Sequence, residues 1–184
     1  MKRIHKKPDS EVIRQQLNYP KDAQKIKEIL ETEQECFCAY TEERITAGYA
    51  VDVEHFNPTL KNTPADGYHN WFVVSHKWNN KKRTKWENYQ PILHPADESL
   101  ENRILYEEGF FILDKVGDVP AAHLIGLLDL NNQKLIHERQ QYVKRLKGLA
   151  EVFGGNEGVF AYLTRHPEEV KFRRALEVEF GFRF

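Results

Sequence analysis

The sequence has few cysteines, no long apolar run and no excess of charge of either sign. Only two of its 184 residues are cysteine, so disulfides cannot dominate its stability, and cysteine alone cannot fill a four-ligand zinc site. No apolar run approaches the roughly 18 residues that a membrane-spanning helix needs. The 27 basic and 28 acidic residues give a net charge of -1, which excludes nucleic-acid binding through bulk charge alone. Any such binding requires a local basic patch.

The composition is that of a folded, soluble protein. Hydrophobic residues make up 40% of the chain and aromatic residues 12%, which is too rich for intrinsic disorder. The length predicts one domain, or a small domain with a helical extension. The basic residues near Met1 are not followed by the apolar stretch of a secretory signal. We therefore expect a cytoplasmic protein with no membrane association.

Hydrophobic spacing divides the chain into three segments and predicts an α+β fold. Residues 1–35 are expected to be helical, with helices over residues 11–17 and from Pro20 onward. Residues 36–90 read as strand, loop, strand and helix, with the strands at residues 51–53 and 71–74. Residues 91–184 predict a hairpin and then helices. The expected limits are 103–106 and 110–113 for the hairpin strands, and 120–128, 132–149, 159–165 and 168–179 for the helices.

Four polar residues of the middle segment have types and spacing suited to phosphodiester hydrolysis. Glu54 and His55 are adjacent, Asn70 directly precedes an apolar strand, and Asn79 lies near the start of a helix. A hard cation such as Mg²⁺ prefers oxygen ligands and keeps several waters, so one carboxylate and one amide oxygen suffice from the protein. A neutral histidine beside them can take a proton from the attacking water, a role typically worth about 10²–10⁴ in rate. The pattern predicts a one-metal phosphodiesterase.

The middle segment resembles the HNH endonucleases of the ββα-metal, or His-Me finger, type. That family has a cysteine knuckle, an acid-histidine pair, an asparagine opening the second strand and another asparagine in the following helix. The resemblance implies that Glu54 and Asn79 hold one Mg²⁺ or Mn²⁺, that His55 is the general base and that Asn70 organises the loop. It also implies 5′-phosphate and 3′-hydroxyl products, and a ββα-metal unit embedded in a mainly helical domain.

The sequence departs from the family pattern in two places. Glu54 replaces the commoner aspartate, which lengthens the ligand and preserves its charge. The four knuckle positions hold one cysteine, and they are Cys38, Thr41, Ser75 and Trp78. No structural zinc is therefore expected. Aromatic packing is expected to replace the zinc tether, through Phe37, Tyr40, Trp71 and Trp78.

Flanking motifs extend the resemblance to a narrower group. Residues 1–4, 92–98, 106–109 and 127–131 resemble the HNH nuclease of retron-associated and Septu-type antiphage systems. This similarity spans most of residues 1–145, and it implies a partner ATPase. Residues 150–184 carry no recognisable motif, and their aromatic side chains suit a core or a partner interface equally.

Basic residues cluster next to the candidate site. In isolation such a run is ordinarily a solvated helix face, but beside a phosphodiesterase site we expect it to touch the nucleic-acid backbone. The run comprises Lys77, Lys81, Lys82, Arg83 and Lys85. His76 and His69 are ambiguous, because each suits either a surface position or an approach to the metal or phosphate.

These observations together predict a low-specificity DNA endonuclease that acts as the effector of an antiphage complex. Two alternatives remain open at this point. One is a catalytically inactive HNH scaffold that binds nucleic acid or protein. The other is an RNA-directed nuclease, for instance one acting on tRNA, because a one-metal site attacks either backbone.

Overall fold

A computed structural model describes residues 1–82 and 85–184, apart from the side chain of Lys81. Helices and two small antiparallel sheets make up the chain, so the α+β prediction is correct at that level. In chain order the elements are α1 (Glu11–Arg14), α2 (Ala23–Glu33), β1 (Val51–His55), β2 (Trp71–Ser75), α3 (His76–Lys82), α4 (Leu100–Arg103), β3 (Ile104–Glu107), β4 (Phe110–Leu113), α5 (Val119–Leu127), α6 (Gln133–Phe153), α7 (Asn156–Arg165) and α8 (Arg173–Phe180).

Strands β1 and β2 pair antiparallel and lead directly into α3. The register places His55 opposite Trp71 and Val51 opposite Ser75. Side chains alternate between the two faces of a strand, so Asp52 and Glu54 share one face while His55 lies on the other. The short sheet and the helix thus bring the sequence-adjacent Glu54 and His55 to opposite sides of one strand.

The β1–β2 sheet lies between two apolar clusters. On the face of Trp71 and Val73 it packs against Ile26 and Leu30 of α2. On the other face Phe72 joins the larger cluster. Each fully buried side chain of this size contributes about 1.5–3 kcal/mol, so both sides of the sheet are anchored.

The larger cluster also contains the C-terminal segment. Phe172, Leu176 and Phe182 are buried in the same cluster as Phe72, together with Met1 from the other end of the chain. The backbone N–H of Phe172 donates to the carbonyl of Glu42 over 2.9 Å. Residues 150–184 therefore dock on this chain, and the three sequence segments share their cores.

Two N-terminal helix limits differ from the sequence prediction. Helix α1 ends at Arg14 instead of residue 17, because Gln16 adopts a left-handed conformation with φ 51°. Helix α2 begins at Ala23, with Asp22 as its N-terminal flanking residue, so Pro20 lies before the helix and not in its first turn.

The last helix also starts later than predicted. Pro167–Glu169 forms a 3₁₀ turn, and Phe172 has φ 50°, so a continuous helix from residue 168 is blocked. The hairpin is close to its predicted limits, with Glu108 and Gly109 at its turn. Within the described residues, no helix combines the length and apolarity needed to cross a bilayer.

Candidate functional site

A cleft of about 530 Å³ runs along strand β1. Among the described residues β1 pairs only with β2, so its other edge is open, and all five of its residues line the cleft. One wall comes from α2 and the segment before it, and the opposite wall comes from α3. The wall residues are Tyr19, Ala23, Gln24 and Lys27 on the first side, Asn79 and Lys82 on the second, and Pro58 and Lys61 in the loop that follows β1.

Glu54 is paired with Lys82 at the base of the cleft. The Lys82 ammonium donates to Glu54 Oε1, and it also donates to the carbonyl of His55 over 3.0 Å and to that of Phe56. Only 3% of Lys82 is exposed. Burial raises the pKa of Glu54, and repulsion from Asp52 adds to the rise, although the Lys82 charge opposes it.

Asp52 lies beside Glu54 on the same face of β1 and connects it to α3. The Asn79 amide donates to Asp52 Oδ2 over 2.8 Å. The ring of His76 contacts the same carboxylate, with Nδ1 at 2.9 Å from Oδ2. Two carboxylates and the Asn79 amide therefore come together in the cleft. Asp52 and Glu54 are alternate residues of β1 and share a face, and Asn79 lies in the first part of α3, which packs against that strand.

His55 is held between an aromatic ring and a carboxylate. Its ring centroid lies 4.6 Å from that of Tyr19 in an edge-to-face arrangement. Its Nε2 atom lies 3.0 Å from Asp66 Oδ2, but off the line of a directional hydrogen bond, so the contact is mainly electrostatic. Burial lowers the pKa of His55 below its ordinary value, and Asp66 opposes that shift. The imidazole is therefore neutral near pH 7, as a base must be.

Asn70 ties together the two ends of the loop between β1 and β2. Its Oδ1 accepts from the Asn57 N–H over 2.7 Å, and its Nδ2 donates to the Asn57 carbonyl over 3.1 Å. The same amide donates to Asp66 Oδ1 over 3.0 Å, and the Trp71 indole N–H also donates there over 2.9 Å. Asn70 is 1% exposed. It thus braces the loop that carries Asp66 to His55.

The donor set suits a small divalent cation. Asp52, Glu54 and Asn79 offer carboxylate and amide oxygens to one cleft, and these are the ligands that Mg²⁺ and Mn²⁺ prefer. Burial is the main cause of the raised pKa of Glu54, and the repulsion from Asp52 that adds to it would be relieved by a cation. No group of three or more acidic, histidine or cysteine side chains arranged for a metal occurs among the described residues. A cation would accordingly depend on the Asn79 amide and on water for the rest of its coordination.

The predicted basic set is only partly at the cleft. Lys77 and Lys85 are exposed and do not line it, Arg83 lies outside the described residues, and the Lys81 side chain is not described. Lys82 does line the cleft, but it is buried and its three donors are taken up by Glu54 and two carbonyls. The sequence predicted an exposed Lys82 in contact with the nucleic-acid backbone, whereas the structure places its ammonium in a buried pair with Glu54, where its donors are already used.

The two ambiguous histidines lie outside the lining of the cleft. The His76 side chain is exposed, and its contact with the residues that line the cleft is the one with the Asp52 carboxylate. His69 is exposed in the 3₁₀ turn Tyr68–Asn70 that precedes β2.

Two of the four positions that the resemblance aligns with the cysteine knuckle are in contact. Cys38 is buried, and its sulfur accepts from the Ser75 N–H over 3.3 Å. Of the aromatic residues expected to pack here, Phe37 and Tyr40 lie in the larger cluster and Trp71 in the smaller one. Trp78 is buried as well.

Sequence patterns missed several residues of the site. Asp66 and Tyr19 are distant in sequence from the Glu54-His55 pair, and no motif marks either of them. Lys27 and Lys61 belong to ordinary surface patterns. Asp52 carried a usable signal, because a position two residues before Glu54 on a strand must share its face.

No family model matches the chain, and no curated protein or solved structure is significantly similar to it. The chemistry of the cleft must therefore be argued from its own residues and their geometry.

Proposed function

We propose that this protein is a metal-dependent endonuclease of the HNH type, which hydrolyses DNA phosphodiester bonds with low sequence specificity. One observation carries the proposal: Glu54, His55 and Asn79 line a single cleft on a strand-strand-helix unit, and Asn70 braces the intervening loop. Those are the residues, in the order and on the elements, that the HNH resemblance implies.

The proposed roles follow from the environment of each side chain. His55, neutral because burial lowers its pKa, accepts a proton from the attacking water. With Nε2 against Asp66, Nδ1 is the nitrogen that serves as the base. Glu54 and Asn79, with Asp52 beside them, hold one Mg²⁺ or Mn²⁺. When bound, that cation supplies charge stabilisation for the phosphorane and the leaving oxygen. The products carry 5′-phosphate and 3′-hydroxyl ends.

Low sequence specificity is proposed because the candidate side chains suit backbone contact. The cleft presents carboxylates, an imidazole and lysines, which recognise phosphate and a cation but not a particular base pair. Target selection would then fall to a partner, and the resemblance to retron-associated and Septu-type nucleases identifies that partner as an ATPase in an antiphage complex.

One observation favours a non-catalytic binding scaffold as the second candidate. The Lys82 ammonium already neutralises Glu54, so the acidic site does not require a cation for charge balance. In that case the fold would keep its shape and bind nucleic acid or protein without cleaving it.

Plasmid nicking separates the two candidates. Purified protein is incubated with supercoiled plasmid and Mg²⁺ or Mn²⁺, with the same reaction in EDTA and with His55→Ala in parallel. The endonuclease proposal expects metal-dependent nicking that His55→Ala abolishes. Nicking that survives the substitution contradicts the assignment of His55. Total RNA and duplex DNA tested side by side distinguish an RNA-directed enzyme. The partner is tested by asking whether an ATPase is encoded beside the gene and whether it co-purifies with this protein.

A further inference from the structure

The wall of the cleft opposite the acidic residues has the composition of a site for an unpaired strand. Tyr19 and the lysines Lys27 and Lys61 line it. Sites for single-stranded nucleic acid combine a basic groove, which follows the backbone, with aromatic rings on which bases stack. Neither Tyr19 nor the two lysines belong to the HNH motif.

Tyr19 lies directly over the reactive position. Its ring is 4.6 Å from that of His55, centroid to centroid, and the Lys61 ammonium lies 5.7 Å from the Tyr19 ring. His55 is itself only 5% exposed. His55 and Tyr19 both line the cleft, so the base attached to a phosphate that reaches the imidazole along the cleft lies close to the Tyr19 ring.

The shape of the cleft distinguishes an unpaired strand from a duplex. It is walled on both sides, by α2 on one and α3 on the other, and its volume of about 530 Å³ is within the range of pockets that enclose a drug-sized ligand. An α-helix with its side chains is about 10–12 Å across, whereas the minor groove of B-DNA is about 6 Å wide. In B-DNA each backbone lies between the major and the minor groove, so a duplex could place one backbone between both walls only if its minor groove were widened.

The charges of the wall match a backbone that runs along β1. Lys61 is exposed, and Lys27 is partly exposed with Glu31 at 3.8 Å. Lys61 is also close enough to His55 to contribute to lowering its pKa. The two lysines thus lie on the approach to the candidate base, on the opposite side of the cleft from Asp52 and Glu54.

We propose that the cleft binds a single strand of nucleic acid, with a base stacked on Tyr19 and flanking phosphates on Lys27 and Lys61. This inference rests on the proposed function for the position of the scissile phosphate. Unpaired or locally melted DNA is then the preferred substrate, and the duplex form of the same sequence is a poor one.

Binding and cleavage are measured with one labelled oligonucleotide, used as a DNA strand, as the duplex and as the RNA strand of equal sequence. Binding is measured in EDTA, where no cleavage occurs, and cleavage in Mn²⁺. We expect the DNA strand to bind about 10-fold tighter than the duplex or better, and to be cut faster. The RNA strand shows whether the sugar is discriminated.

Variants test each contact separately. Tyr19→Leu should weaken single-strand binding by about 10- to 100-fold, the range expected for one lost stacking contact, and leave duplex binding unchanged. Lys27→Gln and Lys61→Gln should each lower the slope of log affinity against log salt by about 0.7. Lys25→Gln, an exposed lysine on the same helix that does not line the cleft, is the matched control and should leave the slope unchanged.

The outcomes separate this inference from the nuclease proposal. Tyr19 packs against the smaller apolar cluster, so Tyr19→Leu is compared with the wild type only if the two melting temperatures are close. Lys61→Gln provides the second test, because Lys61 is exposed. Duplex cleavage that requires His55, with no advantage for the single strand, overturns the inference and leaves the nuclease proposal standing. Tyr19- and Lys61-dependent single-strand binding without any cleavage supports the inference and contradicts the nuclease proposal.

Discussion

The Nε2 atom of His55 lies 3.0 Å from Oδ2 of Asp66, a residue eleven positions later in the chain. The other oxygen of the same carboxylate accepts from the Asn70 amide and the Trp71 indole. Asp66 therefore fixes the orientation of the imidazole and is itself fixed from two directions. Through its charge, a carboxylate at this distance favours the tautomer that carries the proton on Nε2.

Asp66→Asn should lower kcat about 10- to 100-fold with little change in KM, because Asp66 orients the base but does not line the cleft. The asparagine oxygen can still accept from Asn70 and Trp71, so the fold should be retained, whereas Asp66→Ala loses those contacts too. Steady-state cleavage and a thermal melt measure the two effects. Unchanged kcat in a folded Asp66→Asn protein would show that the carboxylate has no orienting role.

Asn70→Ala should destabilise the protein by about 2 kcal/mol, because the backbone N–H and carbonyl of Asn57 and the carboxylate of Asp66 then lose the buried Asn70 amide as their partner. Urea denaturation measures the loss. Asn57→Ala is the matched control, since Asn70 bonds to the backbone of Asn57 and not to its side chain. That control removes only the contact of the Asn57 side chain with Thr59, so it should cost clearly less.

Lys82→Met should cost about 3 kcal/mol in EDTA, because Glu54 keeps its buried carboxylate without its ammonium partner. Added Mn²⁺ should then raise the melting temperature of the variant more than that of the wild type, as the cation takes over charge compensation. Lys85→Met, at an exposed lysine, is the control. Equal responses to Mn²⁺ in Lys82→Met and wild type would argue against a cation beside Glu54.

His94 should make the protein less stable in mild acid. Burial between Phe56 and Phe72 lowers the pKa of His94 to about 4, below its value of about 6.5 in an unfolded chain. The folded state therefore binds fewer protons in this range. The stabilisation is complete above about pH 6.5 and is lost progressively as the pH falls toward 4.

Between pH 6.5 and pH 4 the protein should lose about 2 kcal/mol of its free energy of unfolding through His94. His94→Asn keeps an acceptor for the Ala96 N–H, which now bonds to Nδ1 over 3.1 Å, but cannot titrate. Urea denaturation of both proteins at pH 7 and pH 4.5 measures the difference. A wild-type protein that loses no more stability than His94→Asn would rule out this source of acid sensitivity.

The sequence predicted those parts of the fold that local patterns determine. Alternating and apolar runs located β1, β2 and the β3–β4 hairpin. The start of α8 was missed because the left-handed conformation of Phe172 depends on tertiary packing, which no local propensity reports. The sequence could not predict that the C-terminal aromatic residues are buried in the larger cluster, because that burial also depends on tertiary packing.

The candidate site shows the same division. Residue type and spacing singled out Glu54, His55, Asn70 and Asn79, and the structure places all of them except Asn70, which braces the loop, in the lining of the cleft. The sequence predicted that Lys82 is solvated, because it belongs to a basic run, whereas the fold places it against the Glu54 carboxylate. Four further residues lie at the site because folding brings α2, the segment before it and the β1–β2 loop close to β1: Tyr19, Lys27, Lys61 and Asp66. Sequence spacing does not show which of these segments come together.

The open edge of β1 has a consequence for self-association. An unpaired strand edge is a template on which a strand of another molecule can add, and this is a common route to aggregation. Here the edge carries Asp52 and Glu54 at alternate positions, within a cleft whose walls rise on both sides. A second strand would have to enter between these walls and displace the ion pair of Glu54 with Lys82 before it could pair with β1. The features that build the cleft therefore also disfavour the addition of a strand at this edge.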